Sequence, residues 1–397
     1  MLSSLLLATT LISAPADFSC CWQDTPQEVV SDQNYSPPKD KKHAADLEGD
    51  TKVGKKYSEQ IEKEKDFKLS TKEEHVARVQ RIGVELAKIA NTNQVAVSWG
   101  DARLNPFQYT FKVIQGDDIN AFSIPGGFIY VYEGLLDFVE SDDELAGVLA
   151  HEIAHASFRH ISTLQREHGK LQIVTIPLIL AAILAGGEAG VNIAQGTQLF
   201  QMVKQSGWSV QAEQSSDYGG FQYMLKSRYN PVAMLTFMER LALKHRFQER
   251  IDLGIFQTHP VSRERAEALT NRLRDAGIPI KRSLASKAFR IDLKEKDETI
   301  EAWFGTRKIT TFGGPDAGRR AQEAAVKLNE FFDSVPDLYD VQTGDDHSIL
   351  GRRKPLFKVT AADASAAKMT TAELTRAASE GIKRSLYLLA YRVWDSR

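Results

Sequence analysis

The stretch from Asp142 to His160 must fold as a buried helix, yet it carries a glutamate and two histidines in its middle. Ser141 or Asp142 can cap it, and Leu145, Val148, Leu149, Ile153 and Ala154 supply apolar faces at helical spacing. Inside it stands His151-Glu152-Ile153-Ala154-His155. Histidines four residues apart project from one helix face, so both imidazoles can reach a single metal ion. An apolar helix offers buried imidazoles no partner of its own, and buried polar groups need one. Zinc fits the demand, because it binds imidazole, acidifies water and polarises a carbonyl. Glu152, next along the helix, can take a proton from the attacking water.

A third protein ligand should come from another element, leaving one position open. Glu213 and Asp217 lie four apart on an expected helix and share a face. Glu213 is assigned to the metal and Asp217 to the free N–H of His151 or His155, where it would fix the tautomer. His259, in Thr258-His259-Pro260, has two candidate roles. It can hydrogen-bond the oxyanion of the reaction or occupy the open metal position, and only the first stabilises the transition state. His160 lies about 180° round the helix from His151 and should not bind the same metal. His43, His75, His168, His245 and His347 read as ordinary surface or packing histidines.

At 397 residues the chain can hold two or three domains. A balance of 50 basic and 52 acidic side chains argues against general nucleic-acid binding. Two adjacent cysteines, Cys20 and Cys21, make no disulfide framework or cysteine-rich zinc module. The expected fold class is α+β: a mainly helical zincin-type domain over residues 71–283 with a small antiparallel sheet, then a small α/β domain of unknown function over 284–397. Thr71 and Glu74 have capping-box spacing before a helical run. Short β-like runs follow at Val95–Ser98, Phe107–Ile114, Ile119–Ser123 and Phe128–Tyr132. Helices are expected over 202–226, from Pro231 to Ala242 and over 263–276. Farther on, Ala302–Phe312 reads as one strand, 318–332 as a helix, 356–360 as a strand and 370–389 as a helix, with no sharp internal repeat.

Leu5–Ile12 is apolar and is followed by Ala14-Pro15-Ala16, an Ala-x-Ala pattern that reads as the end of a signal peptide over 1–16. No basic residue precedes Lys39, so the usual basic start of a leader is missing. Residues 17–70, with Pro37-Pro38 and mixed charge, read as a polar linker or exposed helix. Leu171–Gly187 carries no charge until Glu188 and is expected to form a buried helix or flap over the cleft, with peripheral membrane contact as the alternative.

Over residues 71 to 280 the sequence resembles peptidase family M48, which contains HtpX, the CAAX prenyl proteases and the periplasmic protease-chaperone BepA. The resemblance rests on Asn120-Ala121-Phe122-Ser123-Ile124-Pro125-Gly126-Gly127, on His151, Glu152 and His155, on Glu213 and Asp217, on Tyr229-Asn230-Pro231, and on Thr258-His259-Pro260 with Arg265. Relatives often place an acidic residue and an alanine before the aspartate, where this chain has Ser215-Ser216. The resemblance implies one Zn2+ per chain and a zinc-dependent endopeptidase of the BepA-like branch, with His259 close to the metal.

The expected substrate is an unfolded or misfolded polypeptide in the cell envelope. Its backbone would add to a sheet edge offered by Asn120–Phe122 or Phe128–Val131. The competing expectation is a noncatalytic chaperone-like or adaptor protein that works through the C-terminal domain. Oligomeric state is not legible in the sequence.

Overall fold

Two large hydrophobic cores and a smaller cluster around Phe122 and Tyr130 organise the described residues, and the histidine-bearing helix runs through the first core. The computed structural model describes residues 32–64, 67–168, 208–247, 259 and 262–388. The segments read as a signal peptide and as an apolar flap lie outside the described residues. Among the described residues no helix is long and apolar enough to cross a membrane.

The chain opens with α1 (Lys41–Ile61) and α2 (Glu73–Thr92). The mixed-charge stretch of α1 buries a stripe at helical spacing: His43, Leu47, Gly54, Ser58 and Ile61. The helix α2 starts at Lys72 with no side-chain cap, so Thr71 and Glu74 do not form the expected capping box. Instead the Ser70 hydroxyl accepts from the Lys72 N–H. Next come β1 (Thr110–Ile114), β2 (Ala121–Ile124) and β3 (Phe128–Tyr132), arranged β1-β3-β2. The β2–β3 pair is antiparallel, and β1 adds to β3 in parallel. Val95–Ser98 forms no strand. Phe128–Val131 is the central strand, which leaves β2 as the edge of the two proposed for substrate.

The turn between β2 and β3 needs its glycines. Gly126 and Gly127 both have positive φ, and a Cβ on Gly126 would come 2.6 Å from Thr51 Cα. Glycine at 54 is needed for the same approach, since a side chain there would run into the Pro125 carbonyl. These contacts let α1 lie directly on the sheet.

Then follow α3 (Glu133–Phe138), α4 (Asp142–Ser157), α5 (His160–His168), α6 (Trp208–Lys226), α7 (Val232–Phe247) and α8 (Arg263–Asp275). Ser141 caps α4 by accepting from the Glu144 N–H, and Asp142, Asp143 and Glu144 fill its first turn, where acidic groups suit the helix dipole. Leu145, Leu149 and Ile153 are completely buried, and each contributes about 1.5–3 kcal/mol by leaving water. Expected to reach His160, α4 stops at Ser157 because Arg159 turns left-handed at φ 54°.

Beyond α9 (Arg282–Ala285) the chain builds a second core. It contains the antiparallel meander β4 (Ile291–Lys296), β5 (Thr299–Phe304), β6 (Arg307–Phe312), then α10 (Ala317–Asp333). A second antiparallel meander follows, β7 (Val341–Thr343), β8 (Ser348–Gly351), β9 (Lys354–Lys358), with α11 (Ala361–Ala367) and α12 (Thr371–Leu388). The single strand read over Ala302–Phe312 is thus a hairpin, turned at Gly305-Thr306 with Gly305 at φ 57°. The class is α+β. Buried residues of the two cores separate between Ala285 and Phe289. Where the cores meet, Arg282 forks onto Glu239 and the Ser283 hydroxyl donates to Asp333 at 2.6 Å.

Candidate metal centre

Close helix packing creates the site. Gly220 of α6 faces the backbone of α4, where an added Cβ would sit 3.1 Å from the His151 nitrogen. This approach brings Glu213 and Asp217, on the same face of α6, beside His151 and His155. His259 comes in just ahead of α8. Ligand atoms of His151, His155, Glu213 and His259 all lie within 4.8 Å of one another.

The internal distances are specific. His151 Nε2 lies 3.0 Å from His155 Nε2 and 3.2 Å from His259 Nδ1. Glu213 places Oε1 3.2 Å from His155 Nε2 and 3.0 Å from His259 Nδ1, and Oε2 3.3 Å from His151 Nε2. Ligand atoms about a tetrahedral zinc, with bonds of ~2.0–2.1 Å, stand roughly 3.3–3.4 Å apart. Three imidazoles and one carboxylate are therefore gathered at nearly that spacing, so the residues fit a metal ion.

The hydrogen bonds behind the imidazoles set their tautomers. Asp217 Oδ1 lies 3.1 Å from His151 Nδ1, so that nitrogen carries the proton and Nε2 presents its lone pair to the cluster. His155 is served by His160, whose Nδ1 is 3.0 Å from His155 Nδ1. The Trp99 carbonyl, 3.3 Å from His160 Nε2, can only accept. His160 therefore donates from Nε2 and accepts at Nδ1 from the His155 Nδ1–H, which frees His155 Nε2 for a metal. Burial, with His155 next to it, lowers the His160 pKa well below its usual value, as a neutral ring requires.

His160 thus serves as the partner behind a ligand, although the sequence excluded it only as a ligand. No sequence signal marks Arg159 as left-handed, and a helical projection past Ser157 sends His160 the wrong way. Ser216, at the departure from the family pattern, places its hydroxyl 3.3 Å from His160 Nδ1. Ser215 packs on the other side, with its hydroxyl 3.2 Å from that of Ser98.

Arg265 fixes both carboxylates of α6. It forks onto Asp217 with two bonds of 2.7 Å and reaches Glu213 Oε2 at 2.9 Å. Burial opposes ionisation of these carboxylates, yet Arg265 and the imidazoles outweigh it. They take Asp217 down to about 2 and hold Glu213 well below the usual carboxylate range.

Glu152 is buried beside the cluster, with His259 Nε2 3.1 Å from its Oε1. That is ion-pair distance without hydrogen-bond alignment, and among the described residues neither carboxylate oxygen has a hydrogen-bond partner. Burial disfavours a charged His259, but Glu213 and Glu152 outweigh it and push its pKa up to about 10 in the metal-free protein. His259 consequently touches a ligand with one nitrogen and the candidate base with the other.

A metal-ligating face of an HExxH helix, completed by a carboxylate from a second helix, defines the metallopeptidase class. Residues 77–273, just under half of the chain, match peptidase family M48. It is 31% identical over 179 residues to the β-barrel assembly-enhancing protease of Escherichia coli K12, which covers 44% of this chain and 36% of the relative. The metalloprotease LoiP of the same organism is 28% identical over 176 residues, 44% of this chain and 67% of that protein. The mitochondrial metalloendopeptidase OMA1 of Saccharomyces cerevisiae is 29% identical over 157 residues, 39% of this chain and 43% of OMA1. The chain thus spans about a third of the length of the β-barrel assembly-enhancing protease.

Proposed function

We propose that the chain is a zinc-dependent endopeptidase that cleaves unfolded or misfolded polypeptides, in protein quality control of the cell envelope. The observation that carries this reading is the close gathering of His151, His155, Glu213 and His259 beside the buried Glu152 carboxylate. Zinc held by the first three would supply Lewis acidity, making a water nucleophilic and polarising the scissile carbonyl. Glu152 accepts the proton of that water and passes it to the departing amine. Asp217 and His160 keep the two α4 imidazoles in their ligating tautomers, and Arg265 holds Glu213 in place.

The blocking role suits His259 better than oxyanion binding. Its Nδ1 stands where a fourth ligand would, and its Nε2 covers Glu152. In this reading the described conformation is latent, and His259 must withdraw before substrate enters. An extended segment would then add to the β2 edge, which has no other strand beside it among the described residues. Placement in the envelope is supported by the leader-like N-terminus and by a relative named for β-barrel assembly.

The test is Glu152→Gln in zinc-loaded protein given reduced, unfolded casein. Cleavage should fall by about 10²–10⁴-fold with zinc content unchanged. Equal cleavage by parent and variant would overturn the reading. The closed state of His259 also favours a second reading, a noncatalytic chaperone or adaptor acting through residues 284–397. In that case neither protein cleaves casein, and both suppress its aggregation equally.

A further inference from the structure

His160 is aimed at His155 by a turn rather than by a helix face. Just before it, between α4 and α5, stands Arg159, left-handed at φ 54°. A non-glycine residue keeps that conformation only where its surroundings over-determine it. Here they do so from far away in sequence. The buried Arg159 guanidinium forks onto Asp50 of α1, with Nε 2.6 Å from Oδ2 and Nη2 3.1 Å from Oδ1. Its Nη1 lies 3.0 Å from Oδ2 of Asp101, in the loop that joins α2 to β1. The same loop binds the main chain of the turn, because the Asp101 N–H donates to the Phe158 carbonyl at 2.7 Å. Asp50 also accepts from the Ser162 hydroxyl at 2.9 Å, in the first turn of α5. One carboxylate of α1 thus holds both the turn and the helix that carry His160.

We infer that Asp50 and Arg159 are positioning residues for the metal centre, so that the docking of α1 helps to set metal affinity. The inference rests on reading the histidine cluster as a metal site. The line of contacts is continuous. Asp50 grips Arg159, Arg159 fixes the backbone entering His160, and His160 Nδ1 meets His155 Nδ1 at 3.0 Å. A hydrogen bond between two rings weakens steeply as they rotate, so a loosened Arg159 turn weakens the acceptor that keeps the His155 proton on Nδ1. Neither Asp101 nor Asp46 can take over from Asp50, since Arg103 already holds both. Asp50 precedes the segment that matches the peptidase family, residues 77–273. Support for a metal ligand therefore reaches the site from a helix outside that segment, and metal affinity reports whether this helix is seated.

The experiment measures zinc affinity by chelator competition and the absorption spectrum of the Co2+ form, both in the full chain. Asp50→Ala suits α1, because alanine favours a helix and Arg159 keeps Asp101 as a partner. Affinity should fall by about 3–10-fold, less than the ~10–100-fold that follows loss of a group bonded directly to a ligand, and the Co2+ bands should shift. Arg159→Lys, which keeps the charge but cannot fork, should do the same. In a His160→Leu background Asp50→Ala should cost no further affinity, since both changes act on one path. Asp363→Asn, which weakens the second core, should leave affinity and spectrum as in the parent. Parent-like affinity in both Asp50→Ala and Arg159→Lys overturns the inference and leaves the metal centre standing. So does an undiminished further loss in the His160→Leu background, or an equal loss in Asp363→Asn. A parent that binds neither zinc nor Co2+ overturns the metal centre and this inference with it.

Discussion

His259 Nε2 sits 3.1 Å from Glu152 Oε1, so the residue that completes the ligand cluster also covers the residue placed to act as base. In the proposed mechanism this one side chain closes both halves of the chemistry, and its displacement would open both. His259→Ala should raise casein cleavage by about tenfold, the factor that matches ~1.4 kcal/mol of lost closing interaction. If His259 instead stabilises the oxyanion, the same variant loses about 10²–10³ in kcat. Initial rates of parent and variant at equal zinc content separate the two.

His160 supports His155 through a neutral ring fixed by the Trp99 carbonyl. Replacing it with leucine removes the acceptor that sets the His155 tautomer. Zinc affinity, measured by chelator competition, should fall by about 10–100-fold without loss of the fold. An unchanged affinity would contradict the assigned tautomer.

Arg282 and Glu239 form a bidentate pair that is almost wholly buried where the two cores meet. Arg282→Ala leaves the Glu239 carboxylate buried and should cost about 3–5 kcal/mol. The double variant Glu239→Leu/Arg282→Met should recover most of that loss. Denaturant unfolding of the three proteins checks both statements.

In the second core, Asp363 accepts from the Gly313 N–H and from Arg320. Burial raises its pKa, but Arg320 and the hydrogen bonds from Gly313 and Thr360 outweigh this and leave it lowered. A carboxyl depressed by folding adds stability above its unfolded value of ~3.9, and that stability is lost as pH falls through the folded value. The parent should therefore lose melting temperature below about pH 4, and Asp363→Asn should show a smaller acid loss. At pH 7 that variant should be weaker by about 1–3 kcal/mol.

The site was legible to the extent that helix geometry carried it. Spacing alone pairs His151 with His155 and Glu213 with Asp217, because α4 and α6 are regular where those residues stand. His160 was not legible, since its position depends on one left-handed residue, Arg159. That residue is held by Asp50 of α1 and by Asp101, both far away in sequence. The burial of α1 was hidden for a similar reason. Its stripe includes Gly54 and Ser58, which look polar or neutral until the Pro125–Gly127 turn and the Tyr130 hydroxyl meet them. Val95–Ser98 has the alternation of a strand but finds no pairing partner, and β propensity alone does not create one. Gly305-Thr306 broke an apparent single strand into two because a two-residue turn is short enough to pass as part of a strand.

The metal centre is tested most directly by zinc per chain in protein purified with metal-free buffers, beside Glu213→Ala prepared identically. One zinc per parent chain is expected, and far less in the variant, whose fold persists by circular dichroism. A folded parent that binds no zinc, even after reconstitution, would contradict it.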